Sequence, residues 1–421
     1  MKMDRAAAPG AGGALAEWRK GWPVVLAAGL GYGSGGAIVL LLSGLFIKPM
    51  REALGWSASA VTIAPIITLT WALCYPLAGW AIDRAGSRPV AILGAAGLAV
   101  CAALLSFVPV SGVALYSIAA LIGMFASLTA VPTYTRAVAS WFSQGVGLAF
   151  GITLSGSALV SIFATPFVGT VIADHGWRMG FLALAGVVAC IGLPVILLFY
   201  RERPRTKAVA VEEALPPPGA TIGEALTDIR FWGYLCAFAI ACVPLGGFVG
   251  HLQPMLAEKG FPLAEALSLG VLYALSISFG KILIGILLDR VWPFAVAASV
   301  TALAGLGAIG LATAEASTGI GFVAATILVI GTGQGAESDF IAYFTLRSFG
   351  MRAFATIVGV LGMMSTVGLA IGGFLFARLF DAHGNYDAAC LIGAACLIGS
   401  GGLLILTGLS DRRRGRELVA G

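Results

Sequence analysis

Long apolar stretches separated by short polar ones run along most of the chain. Nearly uncharged runs recur, and they reach the length of about 20 residues that a helix needs to cross a bilayer. Hydrocarbon offers the backbone no hydrogen-bond partner, so spanning segments are helices or closed barrels. The runs are too long, and alternate too little, for barrel strands of about 10 residues. The pattern therefore predicts an all-α membrane protein.

Polar breaks divide these stretches into twelve predicted spans. They cover residues 22–47, 58–82, 89–109, 112–139, 145–173, 178–200, 231–257, 264–289, 294–314, 318–345, 354–380 and 386–409. A charged, proline-rich stretch follows the sixth span, and we interpret it as a solvated linker with one short helix at its end. The predicted order is a cytoplasmic tail (1–21), a six-helix bundle (22–200), the linker (201–230), a second six-helix bundle (231–409) and a basic cytoplasmic tail (410–421).

Composition supports the membrane assignment. Of the 421 residues, 59% are hydrophobic and 11% are charged, whereas soluble globular proteins carry about 25% charged residues. With the N-terminus inside, most lysines and arginines fall in the inner segments, as the positive-inside rule requires. We therefore expect a multi-pass protein of the inner (plasma) membrane with both termini cytoplasmic. Topology accounts for the net charge of +5, so we expect no nucleic-acid partner.

The cysteines and histidines form no pattern typical of a metal site. Seven cysteines are scattered through apolar runs without CxxC spacing, and there are only three histidines, so we expect no metal, no disulfide and no cofactor. No GxxxxGK[ST] fingerprint is present, which excludes ATP as the driving force. No cluster of titratable residues resembles a catalytic centre, so we do not expect an enzyme.

The two halves carry related motifs. GWAIDRAGSRP (79–89) and GILLDRVWP (285–293) both place a glycine four positions before an Asp-Arg pair. WFSQGVGLAFGI (141–152) and SFGMRAFATIVGV (348–360) form a second, weaker echo. Repeats at corresponding positions of two halves are typical of transporters whose substrate site lies between related bundles.

The first motif resembles the tight-turn signature of the major facilitator superfamily, Gly-x-x-x-Asp-Arg-x-Gly-x-Arg. Its members here are Gly79, Asp83, Arg84, Gly86 and Arg88. The second copy keeps Gly285, Asp289 and Arg290 but lacks the later glycine and arginine. A short loop, a helix end and a charge pair that breaks and reforms suit a conformational latch better than a substrate contact.

Within this superfamily the chain resembles the monocarboxylate porters and the oxalate:formate antiporters. The stretches that carry the likeness are IKPMREALGWSASAV (47–61), WFSQGVGLAFGITLSGSALV (141–160), GWR (176–178) and FGKILIGILLD (279–289). The resemblance implies a twelve-helix secondary transporter that works by alternating access, with spans 1, 4, 7 and 10 lining the path. It also implies that Lys281 binds the substrate's carboxylate, at a position where an arginine is usual.

Lys281 is also the leading candidate on physical grounds. It lies eight residues before Asp289, about 12 Å inside the span. A charge near the middle of a span costs roughly 2.5–3.5 kcal/mol, so it normally faces a wet cavity or a counter-ion. An ammonium suits a carboxylate, without the two-point fork of arginine. The alternative is that Lys281 extends toward the interface or pairs with an acid for structural reasons.

Glu337 and Asp339 raise a second question, since two carboxylates stand in an apolar span. Residues i and i+2 of a helix point about 200° apart, so the two cannot share one cavity. Asp339, Tyr343 and Arg347 follow one another at one-turn intervals and are candidates for an inner gate, and Tyr343 is also a candidate substrate contact. Glu337 is then the candidate cavity carboxylate, and burial, which disfavours the charged form, suits it to carrying a proton.

Three further residues have open interpretations. Arg136, near the inner end of span 4, either pairs with a span-10 acid of the other half or anchors the chain at the headgroups. His251 in span 7 either meets substrate or protons, or satisfies a local backbone carbonyl. Tyr32 lies among small residues of span 1, whose default role is close helix packing, but it is also a candidate substrate contact.

Two departures from the resembling porters bear on coupling. Their proton-coupling Asp, four positions before the span-8 cation, is replaced by Ile277, and no Lys lies inside span 1. A transported proton would therefore use Glu337, Asp339 or His251; otherwise the carrier exchanges anions or acts as a uniporter.

The sequence therefore predicts a transporter of small organic anions, mono- or dicarboxylates, by proton coupling or anion exchange. Its expected partners are a small carboxylate, protons and the lipid bilayer, and we expect a monomer. Two alternatives stay open. One is an efflux carrier for hydrophobic or cationic compounds, and the other is a non-transporting membrane sensor.

Overall fold

Helices form nearly all of the described chain. The computed structural model describes residues 11–109, 111–203 and 218–420. The first ten residues of the predicted tail and residues 204–217 of the predicted linker lie outside these ranges. The α-helices are α1 (Ala11–Gly33), α2 (Gly36–Leu54), α3 (Ala58–Val61), α4 (Ala64–Ala85), α5 (Ser87–Ser106), α6 (Gly112–Leu128), α7 (Val131–Trp141), α8 (Val146–Leu154), α9 (Gly156–Val187), α10 (Leu193–Phe199), α11 (Ile222–Thr227), α12 (Ile229–Glu258), α13 (Leu263–Arg290), α14 (Pro293–Thr313), α15 (Ile320–Phe349), α16 (Phe354–His383) and α17 (Asp387–Ala420). A π-helical turn, Val188–Gly192, joins α9 to α10.

The helices confirm the twelve predicted spans. Eleven continuous segments of the described chain are long and apolar enough to cross a membrane, and one of them, Val146–Phe199, has 54 residues. At 1.5 Å per residue this segment is about 80 Å long, far more than the hydrocarbon core of about 30 Å. Gly176 interrupts it with φ 81° and ψ 171°, a backbone conformation that favours glycine. The segment therefore contains spans 5 and 6.

Small residues of span 1 let its helices approach their neighbours. A Cβ atom added to Gly33 would overlap the carbonyl oxygen of Gly156, the first residue of α9. The amide of Gly36 donates to the Thr129 hydroxyl over 2.9 Å, which satisfies a helix-start amide that has no partner within its own helix. These contacts support the predicted packing role of the small-residue run.

Substitution of Gly33 by valine is expected to destabilise the protein by about 1–3 kcal/mol, as overpacked sites typically do. The apparent unfolding midpoint in detergent checks this. Gly44→Ala is the control, because no atom lies within 4 Å of a Cβ placed there. An equal midpoint for Gly33→Val and Gly44→Ala would contradict the tight packing.

The described chain divides into two compact units, each with its own core. Unit 1 contains residues 1–219 together with Phe349–Gly359, and unit 2 contains residues 220–348 together with 360–421. In unit 1, α1 packs against α7, α8 and α9, while α5 packs against α6 and α9. In unit 2, α17 packs against α12 and α14. The last residue of α15 and the first six residues of α16 therefore belong to unit 1, and the remainder of both helices belongs to unit 2.

Candidate functional site

A buried charge cluster lies at the predicted latch motif of unit 1. Asp83, in the last turn of α4, accepts a short hydrogen bond from the Arg136 guanidinium of α7. Little of either side chain is exposed, 9% for Arg136 and 10% for Asp83. Glu202, just after span 6, lies 3.5 Å from Arg136 Nε and accepts the Ser87 amide over 2.8 Å. Buried charges are costly unless they are paired, and both Asp83 and Arg136 have oppositely charged partners in this cluster.

The Asp83 carboxylate also binds the start of α16. It accepts the amides of Ala355 and Thr356 over 3.1 and 2.8 Å and the Thr356 hydroxyl over 2.7 Å. The first amides of a helix have no partner within the helix, and the helix dipole makes this end electropositive. Asp83 therefore caps α16 from a distant part of the sequence, in addition to its pairing with Arg136.

Glycine at position 79 is required by this arrangement. A Cβ on Gly79 would overlap the carbonyl oxygen of Ala355. A Cβ on Gly359 would lie 2.6 Å from the carbonyl oxygen of Tyr75, one turn earlier in α4. The first glycine of the motif thus permits the close approach of α4 to the start of α16, which brings Asp83 within reach of the helix amides.

Two parts of the linker contact the same region. Glu202, near its beginning, pairs with Arg136, and further along the chain the Pro218 carbonyl accepts the Met351 amide over 3.0 Å. Gly219 and Gly350 form an antiparallel bridge, and both have positive φ, 138° and 71°. The Met351 carbonyl accepts from Arg136 over 3.4 Å, so the Met351 backbone is held from two sides.

The other members of the motif have separate contacts. Arg84 lies over the Trp80 ring, 4.4 Å from its centroid, and Arg88 donates to the Leu197 carbonyl over 2.7 Å. In the second copy of the motif a backbone group makes the contact with a neighbouring helix. The Leu288 carbonyl, next to Asp289, accepts a hydrogen bond from the Tyr343 hydroxyl over 2.8 Å.

Arg136 pairs with Asp83 and Glu202. The sequence had suggested instead that Arg136 pairs with a span-10 acid or anchors the chain at the headgroups. Both Asp83 and Glu202 belong to unit 1, as Arg136 does. Asp83 was predicted as a latch residue, but no spacing in the sequence links it to Arg136. Glu202 was overlooked because a single acid in a charged linker carries no distinguishing pattern.

Lys281 is buried in unit 2, with 8% of the residue exposed. Its ammonium donates to the Ser338 hydroxyl over 2.8 Å and to the Gly335 carbonyl over 3.4 Å, both on α15. Glycines bring α13 and α15 close together, since a Cβ on Gly280 would lie 2.7 Å from the Thr332 carbonyl oxygen. Both oxygen partners of the ammonium are therefore uncharged and belong to one neighbouring helix.

The two acids of α15 have different neighbours, in agreement with their predicted angular separation. The half-buried Glu337 carboxyl lies beside the Ser365 hydroxyl and the Cys242 thiol. Asp339 is fully buried, and neither of its carboxyl oxygens has a hydrogen-bond partner among the residues that the structure describes. Both acids interact electrostatically with Lys281. The three groups form a polar cluster inside unit 2, which we call the Lys281 cluster.

The contacts of Tyr343 differ from those of the gate chain expected along α15. The Tyr343 hydroxyl donates to the Leu288 carbonyl, not to Asp339. The Arg347 guanidinium lies 5.3 Å from the centroid of the Tyr343 ring. Asp339 therefore does not belong to a hydrogen-bonded chain with Tyr343, because the tyrosine hydroxyl already has its acceptor on α13.

His251 and Tyr32 have structural contacts. His251 Nε2 donates to the Gly373 carbonyl over 2.9 Å, and Nδ1 contacts the Tyr386 hydroxyl at 3.2 Å. The carbonyl that His251 satisfies therefore belongs to α16 and not to the local backbone that the sequence interpretation named. Tyr32 packs edge-on against Tyr134, with the ring centroids 6.1 Å apart.

Lys259, directly after α12, joins the end of α14 to the start of α17 within unit 2. Lys259 is 6% exposed and lies 2.7 Å from the Asp387 carboxylate. Its ammonium also donates to the carbonyls of Ala312 and Ala314, over 3.1 and 3.2 Å, at the end of α14. A cation at a helix C-terminus stabilises the helix through its dipole. Nothing local in the sequence distinguishes this lysine from a surface charge.

Two units of membrane-spanning helices, each with charged groups inside it, are typical of polytopic membrane transport proteins. The chain belongs to the Major Facilitator Superfamily, whose family model matches residues 22–373. This match confirms the resemblance seen in the motifs.

Similar proteins agree with this assignment. Monocarboxylate transporter 13 of Rattus norvegicus is 28% identical over 401 residues, which cover 91% of this chain and 88% of the relative. Among solved structures, the E. coli fucose:proton symporter FucP aligns with TM-score 0.66 and 15% identity over 92% of this chain and 98% of its own. The human organic anion transporter MFSD10 aligns with TM-score 0.65 and 17% identity over 93% and 98%. At these identities the structures establish the fold alone.

Proposed function

We propose that the protein is a secondary transporter that carries a small organic anion, a mono- or dicarboxylate, across the inner membrane by alternating access. It uses proton coupling or anion exchange, and both termini are cytoplasmic. The relatives named monocarboxylate transporters support this class of cargo.

The observation that carries the proposal is the state of Lys281. Its ammonium is buried among neutral oxygens, and no carboxylate of the described chain lies within 4.0 Å of it. Buried charges are normally paired, because an uncompensated ion in a low-dielectric interior is costly. A carboxylate supplied by the cargo would provide the missing counter-charge. Ser338, already bonded to the ammonium, is placed to donate to the same cargo.

The Asp83–Arg136 cluster is the proposed conformational latch. Asp83 holds the first turn of α16 in the conformation that the structure describes, and transport would require these bonds to break and reform. Gly79 permits the approach of the two helices, while Arg84 and Arg88 secure the adjoining turn. We assign the counterpart role to Gly285, Asp289 and Arg290, next to the Tyr343 contact.

One observation favours a second function. The Asp339 carboxyl is buried and has no hydrogen-bond partner among the described residues, which suits it to binding a cation. Efflux of hydrophobic or cationic compounds is therefore the alternative.

Counterflow in proteoliposomes separates the two functions. We expect unlabelled mono- and dicarboxylates of one to four carbons, in excess inside, to drive transient uptake of at least one labelled member of the series. Hydrophobic cations such as tetraphenylphosphonium are expected neither to drive nor to inhibit this exchange. Exchange of the cation without exchange of any carboxylate would replace the proposal by the efflux alternative.

A further inference from the structure

An apolar groove lies on the surface of unit 2, at the ends of α12 and α17 that the proposed topology places at the cytoplasmic face. Its volume is about 380 Å³, within the range of about 300–1,000 Å³ of sites that hold small ligands. Helix α12 contributes Ile229, Trp232 and Cys236, and α17 contributes Leu403, Leu406 and Ser410. Both helices are long and apolar enough to cross a membrane, so this surface adjoins hydrocarbon.

The hydroxyl groups that line the groove already have acceptors. Gly233 lies at its floor, where α12 approaches α17 so closely that a Cβ would be 2.5 Å from Thr407 Oγ1. The Thr407 hydroxyl donates to the Leu403 carbonyl over 2.8 Å, and the Ser410 hydroxyl donates to the Thr407 carbonyl over 2.7 Å. A ligand therefore meets apolar surface inside the groove, and polar recognition has to come from beyond its end.

The groove begins at the boundary between headgroups and hydrocarbon. Trp232 is half-exposed at this end, and its indole N–H donates to the Leu226 carbonyl over 2.9 Å. Tryptophan is enriched at membrane–water interfaces, where an apolar ring and a polar N–H are both accommodated. On the neighbouring helix the apolar span ends at Ser410, which also lines the groove.

Helix α17 continues beyond the span to Ala420 and carries a basic run there. Its charged residues are four arginines and two acids, namely Arg412, Arg413, Arg414, Arg416, Asp411 and Glu417. At 1.5 Å per residue the arginine positions lie about 3–9 Å beyond Ser410, which matches a headgroup layer of about 5–7 Å. Positions 413 and 414 follow Ser410 by one turn and continue the helix face that lines the groove.

We infer that this groove is a binding site for an anionic phospholipid, with an acyl chain along α12 and α17 and the headgroup at the basic run. The inference goes beyond transport and takes only the topology from the proposed function. Anionic lipids of the cytoplasmic leaflet favour basic segments by about fivefold in affinity for each arginine near the surface. On the α12 side Arg230 is already paired with Asp228 over 2.7 Å, so the basic run supplies the charge.

A second copy of the chain fits this surface less well. A closed dimer brings the same patch of both subunits together, so the two basic runs would lie side by side at such an interface. Like charges in contact disfavour the complex, whereas the phosphate of a lipid compensates them.

Quenching of Trp232 fluorescence tests the site. The protein is placed in phosphatidylcholine nanodiscs in which part of the lipid is replaced by brominated phosphatidylglycerol or brominated phosphatidylcholine. The Trp232 signal is the difference between the wild type and Trp232→Phe. Because the run has two more arginines than acids, the wild type is expected to bind phosphatidylglycerol about 25-fold more tightly than phosphatidylcholine. Arg413→Gln combined with Arg414→Gln removes this excess and is expected to bind both lipids about equally.

Two matched variants serve as controls. Arg201→Gln removes an exposed arginine of unit 1 and is expected to keep the preference for phosphatidylglycerol. Cys236→Phe fills the groove and is expected to abolish the quenching of Trp232 by both lipids. Its control is Cys190→Phe, at an exposed cysteine of a groove in unit 1, which is expected to leave the quenching unchanged.

Three results would overturn the proposal. The first is equal quenching by both lipids in the wild type, or a full preference for phosphatidylglycerol in the double arginine variant. The second is displacement of the lipid by millimolar inorganic phosphate together with normal quenching in Cys236→Phe, since the headgroup alone would then be bound. The third is a dimer that protects Trp232 from both lipids. None of these measurements uses transport, so a failure of carboxylate exchange would reject the proposed function without affecting them.

Discussion

Replacing Lys281 by alanine is expected to lower organic-anion transport by roughly 30-fold or more. Loss of one partner from a buried charge pair costs about 2–5 kcal/mol, and each 1.4 kcal/mol corresponds to about a factor of ten. The alanine removes the proposed counter-charge for the cargo and leaves Ser338 without its donor. Initial rates of counterflow, over a range of anion concentrations in proteoliposomes, measure the loss.

Two controls separate binding from folding. Lys281→Arg keeps the positive charge and is expected to retain a substantial part of the transport. Lys48→Ala removes a lysine whose side chain is 85% exposed and is expected to have no effect. The unfolding midpoint of each variant in detergent is measured alongside, so that a loss of transport is attributed to Lys281 only in protein that remains folded. Unchanged anion exchange in a folded Lys281→Ala protein would disprove the anion-binding role.

Replacing Asp83 by asparagine is expected to destabilise the protein by about 3–5 kcal/mol, the cost of breaking a buried ion pair by removing one partner. The variant also loses the charged acceptor for the first amides of α16, and Arg136 keeps only Glu202 as an acidic partner among the described residues. We expect a lower unfolding midpoint and a strongly reduced transport rate, because the described conformation loses its proposed latch. Thermal unfolding in detergent and counterflow rates provide the two readouts.

A double-mutant cycle tests the pairing. Asp83→Asn combined with Arg136→Gln removes both charges, so it should be less destabilised than the sum of the two single variants. Arg84→Ala is the control for a nearby cation, since Arg84 stacks on Trp80. The pairing is refuted if the two substitutions change the free energy of unfolding additively. The latch is refuted if Asp83→Asn has the stability and the transport rate of the wild type.

The spans were predictable because their signals are local. Apolar length, charge-free runs and the distribution of lysine and arginine are properties of short segments. Even the boundary inside Val146–Phe199 was placed correctly between spans 5 and 6, near Gly176, where the GWR motif stands. The angular separation of Glu337 and Asp339 was equally predictable, since it follows from helix geometry alone.

The partners of the charged residues were not predictable in the same way. Asp83 and Thr356 are 273 positions apart, and their contact depends on the approach of α4 to the start of α16. The prediction of a hydrogen bond between Asp339 and Tyr343 was wrong for the same reason. The Tyr343 hydroxyl donates to the Leu288 carbonyl on another helix, α13. Spacing within one helix shows which residues share a face, but not which helix will meet that face.

By itself the sequence determined that the chain is a twelve-span helical membrane protein of the Major Facilitator Superfamily. Apolar runs of this length cross hydrocarbon as helices, and the residues of the turn motif lie within one short segment of the sequence. Tertiary structure alone decided that Asp83 caps α16, that Arg136 pairs within its own unit and that Lys281 rests on neutral oxygens beside an unpartnered Asp339. Those arrangements depend on which backbones approach closely enough for buried charges to meet, and that is settled by the packing of distant helices.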